Sequence, residues 1–420
     1  MDYKKIERDD YNIHIINNKK FHNIAFAIYF TQNVDEEKFT YHNLLVNILT
    51  TACKKYDTRS KIVKKTQDIY SISPYASTVR AGNVLSTKFA ISILNSKYLD
   101  KNILKENILL LKEIILNPLI ENNKFNQKYF ELSLNDEISK TERLVEYSEH
   151  YTNYKAIKIS SNKHENYQIT RYSDIDKLKK MTNEKLYEIY QKMLTDSKID
   201  FYISGNIDNQ LELVDFIHQE FKFNNHYQLN NAFYEHLTDD NEIKYCKEKK
   251  DSEQSKVSMV IKPYNLTDFE RRYVSTIFNN VLGGGANSLL NMNIREENSI
   301  AYSMYSYYNK PDNIFCVNGG FNKDNYDKIV KMVKKCIEKI QHGEFTTKLF
   351  NAAKKLYINE LMDYDESNMT LVSFYYSQDI FQSPSITERI KEVKKITKED
   401  VIKFSKKIKI SSIYYLEGEK

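Results

Sequence analysis

A chain of 420 residues is long for one hydrophobic core and predicts two domains. Its 62 basic and 57 acidic residues are interspersed and leave a net charge of +5, which argues against a dedicated nucleic-acid surface. No apolar run approaches the roughly 18 residues of a membrane span, and the charged start MDYKKIERDDYNIHI lacks the apolar stretch of a signal peptide. Cys53, Cys246, Cys316 and Cys336 form no C-x-x-C pair, so reduced thiols in a cytoplasmic protein are expected rather than a disulfide framework or zinc knuckle.

Taken in order, Tyr11 to Ile16 and Ile24 to Phe30 read as an opening pair of strands around a polar turn. Leu44, Leu45, Ile48 and Leu49 then recur at helical spacing between Tyr41 and Cys53, and a second helix covers Ser60 to Tyr70. Tyr75 to Val84 and Ser86 to Leu94 read as strands, and Asn102 to Leu116 as an apolar helix stopped by Asn117 and Pro118. Asn126 to Tyr154 reads as one long helix. A helix opening at Thr182 leads to a strand, Ile199 to Ser204, ending at Gly205.

The second half repeats this order. Lys256 to Ile261 is a strand, Phe269 to Leu282 a helix, Ile314 to Gly319 a strand, and Tyr326 to Ile340 and Lys348 to Met362 are helices. Its last helix opens at Thr397 and leads through a strand to Gly418. The helix-then-strand unit therefore spans 23 positions from Thr182 to Gly205 and 21 from Thr397 to Gly418. Such a repeat implies an α+β protein of two tandem homologous domains, 1–225 and 245–420, divided by a polar stretch around 224–250.

Between these elements lies VLGGGANSLLNMNIREENSIAYSMYSYY, from Val281 to Tyr308. It holds Gly283, Gly284 and Gly285, three of the nine glycines in the chain, so the backbone here turns tightly or lies close to something. Read alone, it is a glycine-capped helix, loop and strand. The glycine cluster, Ser288 and Leu289, the pair Arg295 and Glu296, and Ala301 to Ser303 together resemble the second-half signature of the pitrilysin/insulinase metallopeptidases. That resemblance implies two domains, each a mainly antiparallel sheet flanked by helices, in a clamshell with the two halves facing a cavity. It also implies that Arg295 and Tyr302 hold a peptide substrate, for which a guanidinium fork and a phenol are suitable donors. A structural alternative pairs Arg295 with a nearby carboxylate such as Glu297 and buries Tyr302.

In catalytic members of that family, two histidines four apart and an adjacent glutamate on the first helix hold zinc and activate water. Here Asn43 and Asn47 occupy the histidine positions and Val46 that of the glutamate. Neutral amides are poor zinc ligands, and valine cannot accept a proton. Starting the register at His42 does not restore the motif. Glu146, Glu149 and His150 offer one imidazole, as does His164 beside Glu165. Glu137 resembles the family's distal glutamate, but its separation of 90 residues from Asn47 leaves that match open.

The chain is therefore expected to bind no metal and to need no cofactor of its own. The resemblance implies a non-catalytic subunit of a heterodimeric zinc peptidase, closing the chamber and binding peptide for a zinc-bearing paralogue, with no nucleic acid or membrane as partner. A structural or binding protein of the same fold without a role in proteolysis is the alternative, and a stand-alone peptidase with a rebuilt site is a third reading.

Overall fold

The computed structural model of this protein describes residues 2–162, 165, 172–233, 237 and 242–419. The chain begins with β1 (Asp2–Glu7), β2 (Asn12–Asn17), β3 (Asn23–Asn33), α1 (Glu36–Leu49), α2 (Arg59–Asp68), β4 (Ser71–Ala81) and β5 (Val84–Leu94). After α3 (Leu104–Leu116) come a short ribbon, β6 (Ile120–Glu121) and β7 (Lys124–Phe125), and α4 (Gln127–Glu142). Next are α5 (Ser148–Ser160), α6 (Ile175–Lys179), α7 (Asn183–Thr195), β8 (Lys198–Gly205) and α8 (Gln210–Glu220). The remainder is β9 (Lys244–Lys250), β10 (Ser255–Pro263), α9 (Ser275–Asn279), β11 (Ser303–Asn309), β12 (Ile314–Phe321), α10 (Tyr326–Gln341), α11 (Thr347–Met362), α12 (Asn368–Ile380), α13 (Ile386–Lys395), α14 (Lys398–Ser405) and β13 (Ile408–Gly418).

Two sheets carry the same topology. The first has the order β1-β2-β8-β3-β5-β4, and the second, read in the same sense, β9-β13-β10-β12-β11. In each sheet one pair is parallel, β2 with β8 and β9 with β13, and the other pairs are antiparallel. The repeat seen in the sequence is therefore a repeat of strand order, with β1 added at one edge of the first sheet. The two helix openings agree in chemistry as well. Thr182 caps α7 by accepting from the Lys185 N–H, and Thr397 caps α14 by accepting from the Asp400 N–H.

Both sheets are apolar on both faces, which explains the unbroken apolar run of β3. Phe26, Ile28 and Phe30 point to one side, into a core with Leu44, Leu45, Leu111, Leu186 and Ile217 from the helices. Ala25, Ala27 and Tyr29 point to the other, where Leu371 and Val372 of α12 cover them. In the second sheet Phe315 and Val317 join the core under α10, α11 and α14, while Ile314 and Cys316 meet Ala156 and Ile157 of α5.

The covering helices come from unexpected places in the chain. One compact unit comprises Met1–Glu142, Ile169–Ala232 and Tyr364–Ser383; the other comprises Arg143–Gln168, Phe233–Asp363 and Pro384–Lys420. Each unit thus includes one helix from the sequence of the other, α12 in the first and α5 in the second. These units differ in that respect from the continuous ranges 1–225 and 245–420. The single long helix expected over 126–154 is likewise two: α4 ends at Glu142, and α5 starts at Ser148 after a 3₁₀ turn. No glycine or proline marks the break, because it is set by the two cores that the pieces enter.

Local signals misplaced two further features. Residues 244–250, read as part of the polar divider, form the edge strand β9. The turn between β4 and β5 falls at Gly82 and Asn83 rather than near residue 85, with Gly82 at a φ of +59° that suits a two-residue hairpin.

An uncovered apolar sheet face has no stable alternative to burial. Residues 1–232 produced without 364–383 should therefore bind a hydrophobic dye and unfold without a sharp urea transition. Adding the 364–383 peptide in trans should restore cooperativity and suppress dye binding. A sharp transition of the fragment alone would refute this account.

Candidate functional site

Helix α1 opens at Asp35, whose side chain accepts from the Lys38 N–H, and its apolar stripe is fully in the core. That stripe fixes the rotation of the helix and so the direction of its polar residues. Asn43 is buried, and its Nδ2 donates to Ser173 Oγ at 3.0 Å. The same hydroxyl donates to Glu137 Oε1 at 2.6 Å, and Lys140 Nζ lies 3.4 Å from Oε2. Val46 is buried in the apolar core, and Asn47 is half-buried four residues beyond Asn43. His42 is buried with Nδ1 2.7 Å from Thr87 Oγ1; burial, with Lys38 adding to it, lowers its pKa to about 4 and keeps it neutral.

These residues do not suit zinc. The Asn43 amide presents a donor to Ser173, Val46 offers no base, and one oxygen of Glu137 is engaged by a neutral hydroxyl. The structure does bring Glu137 into the same cluster as Asn43, through one serine, despite their separation in sequence. Sequence reasoning missed Ser173, a serine in a polar stretch whose only local signal is its place before the Asp174 cap of α6.

Among the described residues, one group of three side chains has metal-ligand spacing: His14, Asp200 and Asp379. Lys198 already bridges the two carboxylates, with Nζ 2.7 Å from both Asp200 Oδ2 and Asp379 Oδ2, while His14 Nε2 lies 3.1 Å from Asp200 Oδ1. This cluster is an ionic clamp holding α12 to the first sheet. Tyr3 adds to it by stacking on Tyr375, and Lys5 by pairing with Asp379 at 3.5 Å. Glu146, Glu149 and His150 form no such group: Glu149 accepts from Tyr305 and His150 is exposed. Glu165 instead pairs with buried Lys262 at 3.1 Å, and His164 lies outside the described residues.

The glycine segment is built differently from the helix and short helical piece expected there. Glu270–Val274, Asn280–Gly284 and Asn291–Glu296 are π-helical turns flanking α9 and the glycines. Gly283 is required by space, and Gly284 sits where a side chain would displace two asparagines. A Cβ on Gly283 would lie 2.6 Å from the Ser306 backbone nitrogen on β11, and one on Gly284 would lie 2.6 Å from the Asn279 and Asn280 side chains. At Gly285 the nearest atom would be 3.4 Å away, an ordinary contact.

Downstream, Arg295 is 53% exposed, with Nε 3.7 Å from its neighbour Glu296 rather than paired with Glu297. Tyr302 is 54% exposed and donates from its hydroxyl to Asn322 Oδ1 at 2.6 Å. Neither side chain is part of the core. Tyr302 is nonetheless held in place, because its backbone N–H donates to the Gly320 carbonyl at 2.8 Å.

Two outcomes follow from this geometry. Metal analysis of the purified chain should find no stoichiometric zinc, and Asn43→His with Asn47→His should not create peptidase activity, since Val46 leaves water without a base. The second concerns acid. Burial alone would raise the Asp200 pKa, but the His14 hydrogen bond and the Lys198 ammonium outweigh it and hold the group at about 2, below 3.8. A depressed folded-state pKa gives stability that is present above about pH 4 and lost as pH falls towards 2. Wild type should therefore lose roughly 2 kcal/mol more than Asp200→Asn between pH 5 and 2, measured by urea unfolding at each pH.

Residues 180–357 match the family described as "Peptidase M16 inactive domain". The chain is 23% identical over 410 residues to the "Probable inactive metalloprotease YmfF" of Bacillus subtilis, covering 96% of this chain and 95% of that protein. A conserved protein from Enterococcus faecalis has the same fold, with a TM-score of 0.90 at 22% identity over 99% of both chains. The "peptidase M16 inactive domain" structure from Pseudomonas fluorescens does too, with a TM-score of 0.80 at 12% identity, over 100% of this chain and 99% of that one. Among the described residues no helix is long and apolar enough to cross a membrane, and the four cysteines are free. Its glycine and Arg-Glu signature, its duplicated sheets and these relatives agree: residues 180–357 match the M16 inactive-domain family, and the chain as a whole shares the fold of M16-like peptidases and resembles the pitrilysin/insulinase metallopeptidases, without the H-x-x-E-H motif of their catalytic members.

Proposed function

We propose that this protein is the non-catalytic subunit of a two-chain zinc peptidase, closing the chamber and holding peptide while a zinc-bearing paralogue performs hydrolysis. The observation that carries this reading is a contrast within one chain. Where catalytic relatives place zinc, Asn43 is tied up by Ser173 and Val46 is buried; Arg295 and Tyr302 remain outside the core on an ordered support. A guanidinium with only a distant neighbouring carboxylate keeps donors for a peptide carbonyl or carboxylate. The edge of the first sheet supports a role with peptides as well. β4 pairs only with β5 among the described strands, and its Ile72 and Val79 are 66% and 52% exposed. Such an edge can add an extended peptide through backbone hydrogen bonds.

Reconstitution with a paralogue bearing H-x-x-E-H tests this. The isolated chain should not cleave peptides, whereas the mixture should. Arg295→Ala or Tyr302→Phe should slow cleavage about ten- to a hundredfold, as expected for a lost charge-assisted hydrogen bond, with assembly unchanged on size-exclusion chromatography. Unchanged turnover in both variants would remove these residues from the substrate site. Failure of the chain to associate with, or alter, the paralogue would favour a binding protein outside proteolysis.

A further inference from the structure

The buried residues of α4 recur at Phe130, Ser133, Glu137 and Thr141, so a carboxylate stands on the core-facing stripe of that helix. Such a group is costly unless its oxygens are hydrogen-bonded. Its main donor is the hydroxyl of Ser173, which itself accepts from Asn43. The result is a chain in one direction, from amide to hydroxyl to carboxylate, joining α1, the residues before α6, and α4. All three side chains are buried. A second tie runs in parallel: the backbone N–H of Asp174 donates to the buried Thr40 Oγ1 at 3.0 Å.

The family resemblance implies zinc ligands on the first helix and a glutamate on a later one, and Glu137 of α4 is the residue that resembles that glutamate. We propose that in this chain Ser173 has taken over the cross-link between these helices, so that a hydrogen-bonded relay, Asn43 to Ser173 to Glu137, occupies the place of the metal and gives the fold a metal-free junction. The serine hydroxyl can do this because it accepts and donates at once. An asparagine at position 43 fits where a histidine would not be needed, since its amide supplies the N–H that starts the relay. Val46 then has no water to activate and serves the apolar core. The relay also acts as a plug: residues 173 and 174, tied to both Thr40 and Asn43, lie between the helices that would have to share an ion. This inference concerns the chain alone and holds whether or not the chain works with a catalytic partner.

Thermodynamic cycles on the full chain test it without reference to peptidase activity. Ser173→Ala, Asn43→Ala and Glu137→Gln are compared singly and in pairs by urea unfolding at pH 7. Ser173→Ala removes the donor to Glu137 Oε1, leaving the buried carboxylate with Lys140 at 3.4 Å from its other oxygen, and should lower the folding equilibrium constant roughly five- to thirtyfold. In the Glu137→Gln or Asn43→Ala background the same change should cost at least twofold less, because the charged acceptor or the amide that starts the relay is already gone. Glu137→Gln keeps an acceptor for the hydroxyl, so a folded protein remains to be measured. Effects that simply multiply would overturn the proposal. A second measurement is zinc uptake by Asn43→His, Val46→Glu, Asn47→His with Ser173 in place, by equilibrium dialysis at pH 7.5. No stoichiometric uptake is expected; one zinc per chain would show that Ser173 does not plug the position, and the proposal would fall.

Discussion

The constraint on which the structure rests is that both central sheets are apolar on both faces. A sheet with one wet face could be completed by the helices that follow it in sequence. Here Ala25, Ala27 and Ala90 on one side of the first sheet leave only shallow relief, and a helix with Leu371, Val372 and Tyr376 lies against them. Tyr29 and Tyr376 stack with centroids 3.8 Å apart, and the Tyr376 hydroxyl bonds Thr31 and Ser86. The ionic clamp of Lys198 between Asp200 and Asp379 closes the far end of the same contact. Small residues allow the approach, aromatic rings fill it, and a buried charge fixes its register.

The cover on the second sheet is chemically different. Helix α5 presents Ala156 and Ile157 to Val260, Ile314 and Leu416, but around this apolar spot lie polar contacts. Asn153 donates to Tyr307, while Tyr151 and Tyr414 both donate to Glu248. Duplication has thus preserved strand order and the position of the covering helix without preserving what holds the helix down. The same divergence runs through the candidate site, where one half holds a hydrogen-bonded junction of Asn43, Ser173 and Glu137 and the other packs its glycine turn against β11.

Much of this was legible in the sequence because it depends on neighbours along the chain. The stripe of α1, the threonine caps of α7 and α14, and the crowding implied by Gly283 and Gly284 are all local. What could not be read is what depends on distant partners. Strand β9 reads as Lys-Tyr-Cys-Lys-Glu-Lys-Lys because it is an edge strand, and charge there discourages unwanted pairing, so it shows little of a strand's apolar alternation. The division between α4 and α5 carries no breaker residue. Glu137 shared its uncertainty with every residue whose partner is fixed by folding: a separation of 90 residues says nothing of distance when one serine bridges the gap. Ser173 had only its place before a helix cap as a signal, and a hydroxyl there usually faces water.

The borrowed helix also bears on how the molecule is made. A ribosome completes the strands of the first sheet well before it reaches α12, which lies about 130 residues beyond the last of that unit's earlier segments. At roughly 5–20 residues per second, one face of that sheet stays bare for about seven to twenty-six seconds of synthesis. Over that interval Ala25, Ala27, Tyr29 and Tyr202 form an adhesive surface on a nascent chain. The first unit is therefore completed only after most of the second has been synthesised, rather than domain by domain. A chain that stalls before Tyr364 would be left with that sticky face and would be a natural target for chaperones and proteases.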